Sequence, residues 1–179
     1  EIIQKAGEGK YSHVGVASWV NGNSILECVE FKQWAGGRSV SLLNYVDKLP
    51  GMIDVYRPVN YFSSYVFNSE TEQPELVRVE FDPIEVTKTM RKMTGLPYGW
   101  RRIWWIAKHK LAIFKWFYDM DSLTDDSLQD IVYPVCGSAV AYAFSKHNYD
   151  LVKHRSDGYT EPSDIARSGR LSYLFTLVP

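Results

Sequence analysis

The sequence predicts an α+β domain, an antiparallel sheet with a helix packed against it, and three stretches carry that reading. Tyr11 to Val20 alternates, Asn21-Gly22-Asn23 signals a turn, and Ser24 to Phe31 reads as the returning strand of a hairpin. Ala139, Val140, Ala143 and Phe144 recur at helical spacing after Pro134. Leu171 to Val178 reads as a terminal strand. With 179 residues the chain has room for one domain with its own core, and no repeat or linker divides it, so residues 1–179 are read as a single domain.

In order, residues 1 to 10 are polar and without periodicity. The first strand places Val14, Val16 and Val20 on one face and His13, Gly15 and Ala17 on the other. Small side chains beside the histidine predict that a helix docks closely on that second face. Trp34 to Val46 contains a Gly36-Gly37 turn and an apolar stretch suited to a short strand or helix. Ile53 to Pro58 reads as a strand ended by proline, Tyr61 to Phe67 as β-prone, and Glu70 to Glu75 as a polar surface loop. Pro83 to Met93 has helical spacing with Asp82 as N-cap, and Thr94 to Gly99 stops it.

Trp100 to Phe117 again has helical spacing, at Trp100, Ile103, Trp104, Ala107, Leu111 and Phe114, interrupted by Arg101, Arg102, Lys108, His109, Lys110 and Lys115. We read it as a Trp-rich basic helical insertion at about 100–118. Its simplest form is a core helix whose long cations reach outward; with Trp100, Trp104, Trp105 and Trp116 it also suits a membrane surface, a protein partner or a glycan-stacking wall. An acidic loop follows from Asp119 to Asp130, then a helix to about His147, a charged loop from Lys153 to Gly158, and a short helical piece within Glu161 to Ser168.

The formal net charge of -1, with 45% hydrophobic and 23% charged residues, argues against a general nucleic-acid binder. No apolar run is long enough to span a membrane, and no basic-then-apolar leader precedes the first strand, so no signal peptide is expected. Metal-ligand clusters, phosphate-binding glycine loops and nucleotide motifs are lacking, so no cofactor is expected. Two cysteines, Cys28 and Cys136, are too few for a disulfide framework, although one bridge between them would silence either thiol.

Cys136 follows Tyr133-Pro134-Val135 at a predicted helix start, where the helix dipole favours a thiolate. A thiol becomes a working nucleophile when an imidazole takes its proton and a third group orients that imidazole. Among the four histidines, His13 is the candidate base, since His109, His147 and His154 lie in polar or basic surroundings. Glu27 and Glu30 on the neighbouring strand are the candidate orienting groups, because a carboxylate among Ile25, Leu26 and Val29 is costly unless paired. Periodicity leans to Glu30; a turn longer by one residue would bring in Glu27 instead.

The ordered set Ser12-His13-Val14-Gly15-Val16, Ile25-Leu26-Glu27-Cys28, Val55-Tyr56-Arg57-Pro58, Gly95-Leu96-Pro97-Tyr98, the Cys136 helix and Glu161-Pro162-Ser163-Asp164-Ile165 resembles the circularly permuted NlpC-like papain-fold cysteine hydrolases. This is the YiiX-like group, related to lecithin:retinol acyltransferase, with the histidine strand first and the cysteine helix last. The resemblance implies a papain-like fold, Cys136 as nucleophile, His13 as base and Glu27 as third polar residue. It also implies that Tyr98 lies beside the thiol and binds the reacting carbonyl, with the Cys136 amide as a further oxyanion donor.

The activity so implied is amide hydrolysis through an acyl-enzyme, with a peptidoglycan peptide as leading substrate and a bacterial envelope or phage particle as setting. A lipid acyltransferase or thioesterase on the same scaffold, and a non-catalytic structural or virion assembly module, are the alternatives. Two departures stand out: Gly137 follows the cysteine where the family usually has serine, and the segment from Tyr98 to Cys136 is long.

Overall fold

The computed structural model describes residues 9–20, 23–49, 51–100, 134–153 and 155–178. Of the aromatic basic stretch only Trp100 falls within them, so the helical insertion and the acidic loop lie outside the described residues.

The described residues form an α+β arrangement with three small antiparallel sheets. The first holds β1 (Gly15–Val20), β2 (Ile25–Lys32) and β3 (Gly36–Ser41), in that order. A short helix α1 (Leu42–Val46) follows, then β4 (Ile53–Pro58) and the hairpin β5 (Tyr61–Asn68) with β6 (Gln73–Glu80). Helices α2 (Pro83–Lys92), α3 (Cys136–Ser145) and α4 (Pro162–Ala166) precede β7 (Leu171–Leu177), which pairs with β4.

Local chemistry explains the elements. Asp82 caps α2 by accepting from the Ile84 and Glu85 amides at 3.0 and 3.1 Å, and Pro83 opens the helix where no donor is needed. The expected polar loop at Glu70 to Glu75 is only a tight reversal, and β6 begins at Gln73 with Pro74 tolerated in a two-stranded ribbon. The expected Gly36-Gly37 turn is the start of β3 instead. The reversal falls at Gln33 to Ala35, where Trp34 takes a left-handed φ of 68°.

Hydrophobic burial decides where the helices go. Val29 and Phe31 of β2 are fully buried with Val86 and Met90 of α2 and Ala139, Val140 and Ala143 of α3, and Val14 and Val16 pack against this cluster. The helices therefore cover the valine face of the first sheet, not the face shared by Gly15 and Ala17 as expected from their small side chains. Those small residues make room within the sheet: a Cβ on Gly15 would sit 2.8 Å from Cys28 Sγ and 3.2 Å from Glu30 Cβ. A second, aromatic part of the core joins Phe62, Phe81, Phe144 and Tyr149, whose hydroxyl lies 2.8 Å from the Val59 carbonyl and 3.0 Å from that of Arg170.

Candidate active site

Cys136 is the first residue of α3, with Val135 as N-cap and Pro134 just before it. Ser138, fully buried, closes the turn: its Oγ accepts from the Val135 amide at 2.9 Å and donates to the Val135 carbonyl at 3.1 Å. The amide of Cys136 is thus left without an intrahelical acceptor. Gly137 is required by a neighbour, since a Cβ there would overlap the Thr160 carbonyl oxygen.

A second loop is pinned across this helix start. The Gly37 amide bonds the Leu96 carbonyl at 2.9 Å, the Gly95 amide the Gly37 carbonyl at 2.8 Å, and the Gly99 amide the Pro134 carbonyl at 3.1 Å. Tyr98 lies between these ties and is 6% exposed. Its phenol lies beside the Cys136 side chain, and burial first and the adjacent sulfur second push it above its ordinary range.

The imidazole comes from the opposite side. His13 precedes β1 and shares the face of Gly15, which pairs directly with Glu30. His13 Nε2 meets Glu30 Oε2 at 2.6 Å, and the Cys136 side chain lies near enough to the ring to raise its basicity. Arg38, directly across from Glu30 on β3, sets its Nε and a terminal nitrogen 2.8 and 2.6 Å from Glu30 Oε1 and also donates to Tyr45 at 2.9 Å. Glu30 is 1% exposed, and its carboxylate is satisfied on both oxygens.

The glutamate that meets His13 is therefore Glu30, not Glu27. The pairing Val20 with Ile25 leaves a four-residue connection, which puts even-numbered β2 side chains on the face of His13. Glu27 pairs with Ser18 on the other face, where its carboxylate takes Arg91 at 3.0 and 3.2 Å. An open groove of about 560 Å³ beside that ion pair is lined by Trp19, Ile25, Ser41 and Arg91, and none of His13, Cys136 or Tyr98 lines it.

No family model, curated protein or solved structure matches this chain. The site is therefore read from its own geometry. It brings together Cys136, His13 and Tyr98 and excludes Glu27. It adds Arg38, which the sequence reading passed over. Arg38 had a signal, as the cation that immediately follows the Gly36-Gly37 pair. Both cysteines are free, so no bridge ties up the thiol. Burial first, then the charge of Glu30, pushes Cys28 up to about 12, which leaves it a poor nucleophile. His147 bonds Thr89 at 2.8 Å, and His109 and His154 lie outside the described residues. Among the described residues no group of three or more His, Cys, Asp or Glu side chains could hold a metal ion.

The charges follow from these contacts. Burial opposes ionisation of Glu30, but the bonds from His13 and Arg38 outweigh it and hold its pKa at about 2. Burial likewise opposes the imidazolium, yet the neighbouring Cys136 side chain and the bond to Glu30 outweigh it and raise His13 to about 9. At neutral pH the site therefore holds an ionised carboxylate under a protonated imidazole.

A pH dependence of stability follows. Glu30 contributes stability that is complete above its ordinary value of 4.5 and is lost as pH falls towards about 2. His13 contributes stability that is complete below its ordinary value of 6.5 and is lost as pH rises through about 9. As far as this pair governs it, the melting temperature is expected to be highest between pH 4.5 and 6.5. His13→Gln is expected to flatten the alkaline limb, read by circular dichroism melts across that range; an alkaline fall of unchanged size in the variant would assign it to other groups.

Proposed function

We propose that this protein is a thiol-dependent hydrolase that opens an amide bond through an acyl-enzyme, on a papain-like arrangement of helix-borne thiol and strand-borne imidazole. One observation carries the reading: the His13 imidazole, hydrogen-bonded to the buried Glu30 carboxylate, also lies beside the Cys136 side chain at the start of α3. A satisfied core histidine needs one such partner. A general base needs both, the proton source on one side and the orienting anion on the other.

In the proposed reaction the thiol proton has already passed to His13 when the sulfur attacks the carbonyl carbon, and the S–C bond forms as the carbonyl π pair moves to oxygen. Tyr98, which lies beside the same cysteine, donates to that oxygen. Collapse breaks the C–N bond, and the imidazolium delivers its proton to the departing amine. Water then attacks the thioester with His13 as base, releasing the acid and restoring the thiol. Glu30 and Arg38 orient the ring and offset its charge throughout.

The family resemblance makes a cell-wall peptide the leading substrate, and a lipid ester or thioester the alternative. The test is an acyl-enzyme trap with p-nitrophenyl acetate, read by intact mass and by the burst of p-nitrophenolate. The wild type is expected to carry one acetyl group on Cys136 and Cys136→Ala none; acetylation that persists in the variant would refute the reading. Peptidoglycan digestion against turnover of an acyl thioester then separates the two substrate classes.

A further inference from the structure

His13 lies outside the sheet ladder: β1 begins its pairing at Gly15, so the strand fixes the imidazole from one side only. The other side is fixed by Tyr11. Its amide donates to the Ser163 hydroxyl oxygen at 3.1 Å, and its own hydroxyl lies 2.5 Å from Asp54 Oδ2 and 2.7 Å from the Tyr56 hydroxyl, both on β4. The Asp54 side chain, 6% exposed, is a junction that also accepts from the Lys10 ammonium at 2.9 Å and from the Thr176 hydroxyl of β7. Ahead of Tyr11, a Cβ on Gly9 would overlap the Oγ and Cβ of Ser163, so the arm from Gly9 to His13 lies directly on that serine.

Ser163 belongs to the Glu161 to Ile165 stretch that the sequence singled out and that the mechanism above does not use. The same region of chain meets the nucleophile helix. The Thr160 carbonyl and the Glu161 carbonyl carbon are the atoms that a Cβ on Gly137 would strike, immediately after Cys136. Between those contacts and Ser163 the chain is braced: the Glu161 amide bonds Asp164 at 3.0 Å, and Asp164 is held by Arg155 and, at 2.8 Å, by Arg167. Thr160, which bears on the Cys136 turn, and Ser163, which holds the histidine arm, therefore sit on one short, rigid segment.

We propose that Ser163 is a positioning residue that ties the histidine arm to the segment bearing on the Cys136 turn, with the Tyr11–Asp54 bond as a second anchor, and so sets the distance between base and sulfur. This rests on the acyl-transfer reading given above, in which the thiol proton passes to His13. Glu30 holds the ring from β2, so an arm freed of its anchors keeps the carboxylate but lets the imidazole drift from the sulfur. A drift of about 1 Å is enough to cost much of the rate.

Two measurements follow the arm. Iodoacetamide alkylation of Cys136 at pH 7, resolved by peptide mass spectrometry, reports the pairing of thiol and base. The nuclear magnetic resonance titration of the His13 ring reports what faces it: Cys136 from α3 and Glu30 from β2, with Arg38 of β3 behind the carboxylate. Burial opposes the charged ring, and these neighbours still hold it at about 9. In Ser163→Ala alkylation is expected to slow by about 10- to 100-fold. The His13 midpoint should fall by about 1 pH unit, as the contribution of Cys136 is lost and that of Glu30 stays. Tyr11→Phe, which keeps its amide and loses only the second anchor, should change both in the same direction and by less. Asp54→Asn, which keeps an acceptor oxygen for Tyr11, should stay nearer wild type than Asp54→Ala. In a Cys136→Ala background Ser163→Ala is expected to leave the His13 midpoint in place, because its action passes through the missing thiol. Phe62→Leu, which loosens the packing on Tyr149 and under Arg170, should lower the melting temperature and move neither measurement.

Unchanged alkylation in Ser163→Ala, an equal slowing in Phe62→Leu, or a His13 midpoint that still falls in the Cys136→Ala background would each overturn the assignment. A wild type whose sulfur reacts no faster than a free thiol, and whose His13 midpoint is unmoved by Cys136→Ala, would instead overturn the acyl-transfer reading, and this assignment with it.

Discussion

Glu30→Ala is expected to be the most damaging single change at the site, lowering stability by about 3 kcal/mol and the melting temperature by about 10 °C. The carboxylate is 1% exposed and faces two cations, whose own side chains are 38% and 30% exposed for His13 and Arg38, which keeps the cost at the lower end for a broken buried pair. The same change removes the anion that orients His13, so alkylation of Cys136 near neutral pH is expected to slow by at least about 10-fold. Glu27→Ala supplies the contrast. Its partner Arg91 is 38% exposed, so the loss belongs with surface ion pairs at about 1 kcal/mol or less, and thiol reactivity should be unchanged. Equal effects of the two substitutions on reactivity would show that sheet register does not select the orienting group.

Gly137→Ser is expected to damage the protein even though serine is the residue that the proposed family resemblance would place after the nucleophile. Any Cβ at position 137 overlaps the Thr160 carbonyl oxygen, and it also comes within 3.1 and 3.2 Å of the Thr160 and Glu161 carbonyl carbons. These are backbone atoms with little freedom to retreat. Thr160 is 2% exposed, its amide bonds the Asp157 carbonyl at 3.3 Å, and its hydroxyl bonds the Ser156 carbonyl at 3.2 Å. The overlap is therefore expected to cost about 1–3 kcal/mol and to shift the first turn of α3, and with it the sulfur. Melting temperature and the alkylation rate should fall together in Gly137→Ser and Gly137→Ala. A serine variant as stable and reactive as wild type would mean that the Thr160 segment moves freely.

These two residues also mark how far the sequence could be read. The alternation of Val14 and Val16 and the spacing of Ala139, Val140 and Ala143 made the first sheet and α3 legible, because burial imposes those periods directly. His13 and Cys136 were legible as a pair for a chemical reason, since a helix-start thiol has few uses without a base. The register was only half legible. Parity favoured Glu30, yet a one-residue change in turn length would have selected Glu27, and the pattern of Ile25, Leu26 and Val29 fits either. Gly137 read as a defect because its reason, the Thr160 carbonyl, lies some twenty positions further along the chain. The position of β3 was hidden for the same cause: backbone bonds between Gly37 and the Gly95 to Leu96 segment leave no trace in side-chain periodicity. The hairpin strand β6 was masked by Glu75, Arg78 and Glu80, charges that a ribbon largely exposed to water can carry.

The central claim is that His13, steadied by Glu30, activates the sulfur of Cys136. The rate of iodoacetamide alkylation at pH 7, resolved by peptide mass spectrometry for Cys136 and Cys28 separately, tests it most directly. Cys136 is expected to react at least about 10-fold faster than a free cysteine, Cys28 far more slowly, and His13→Gln to remove the advantage of Cys136 while leaving Cys28 as it was. A Cys136 that reacts no faster than Cys28, or whose rate is the same with and without His13, would contradict the account.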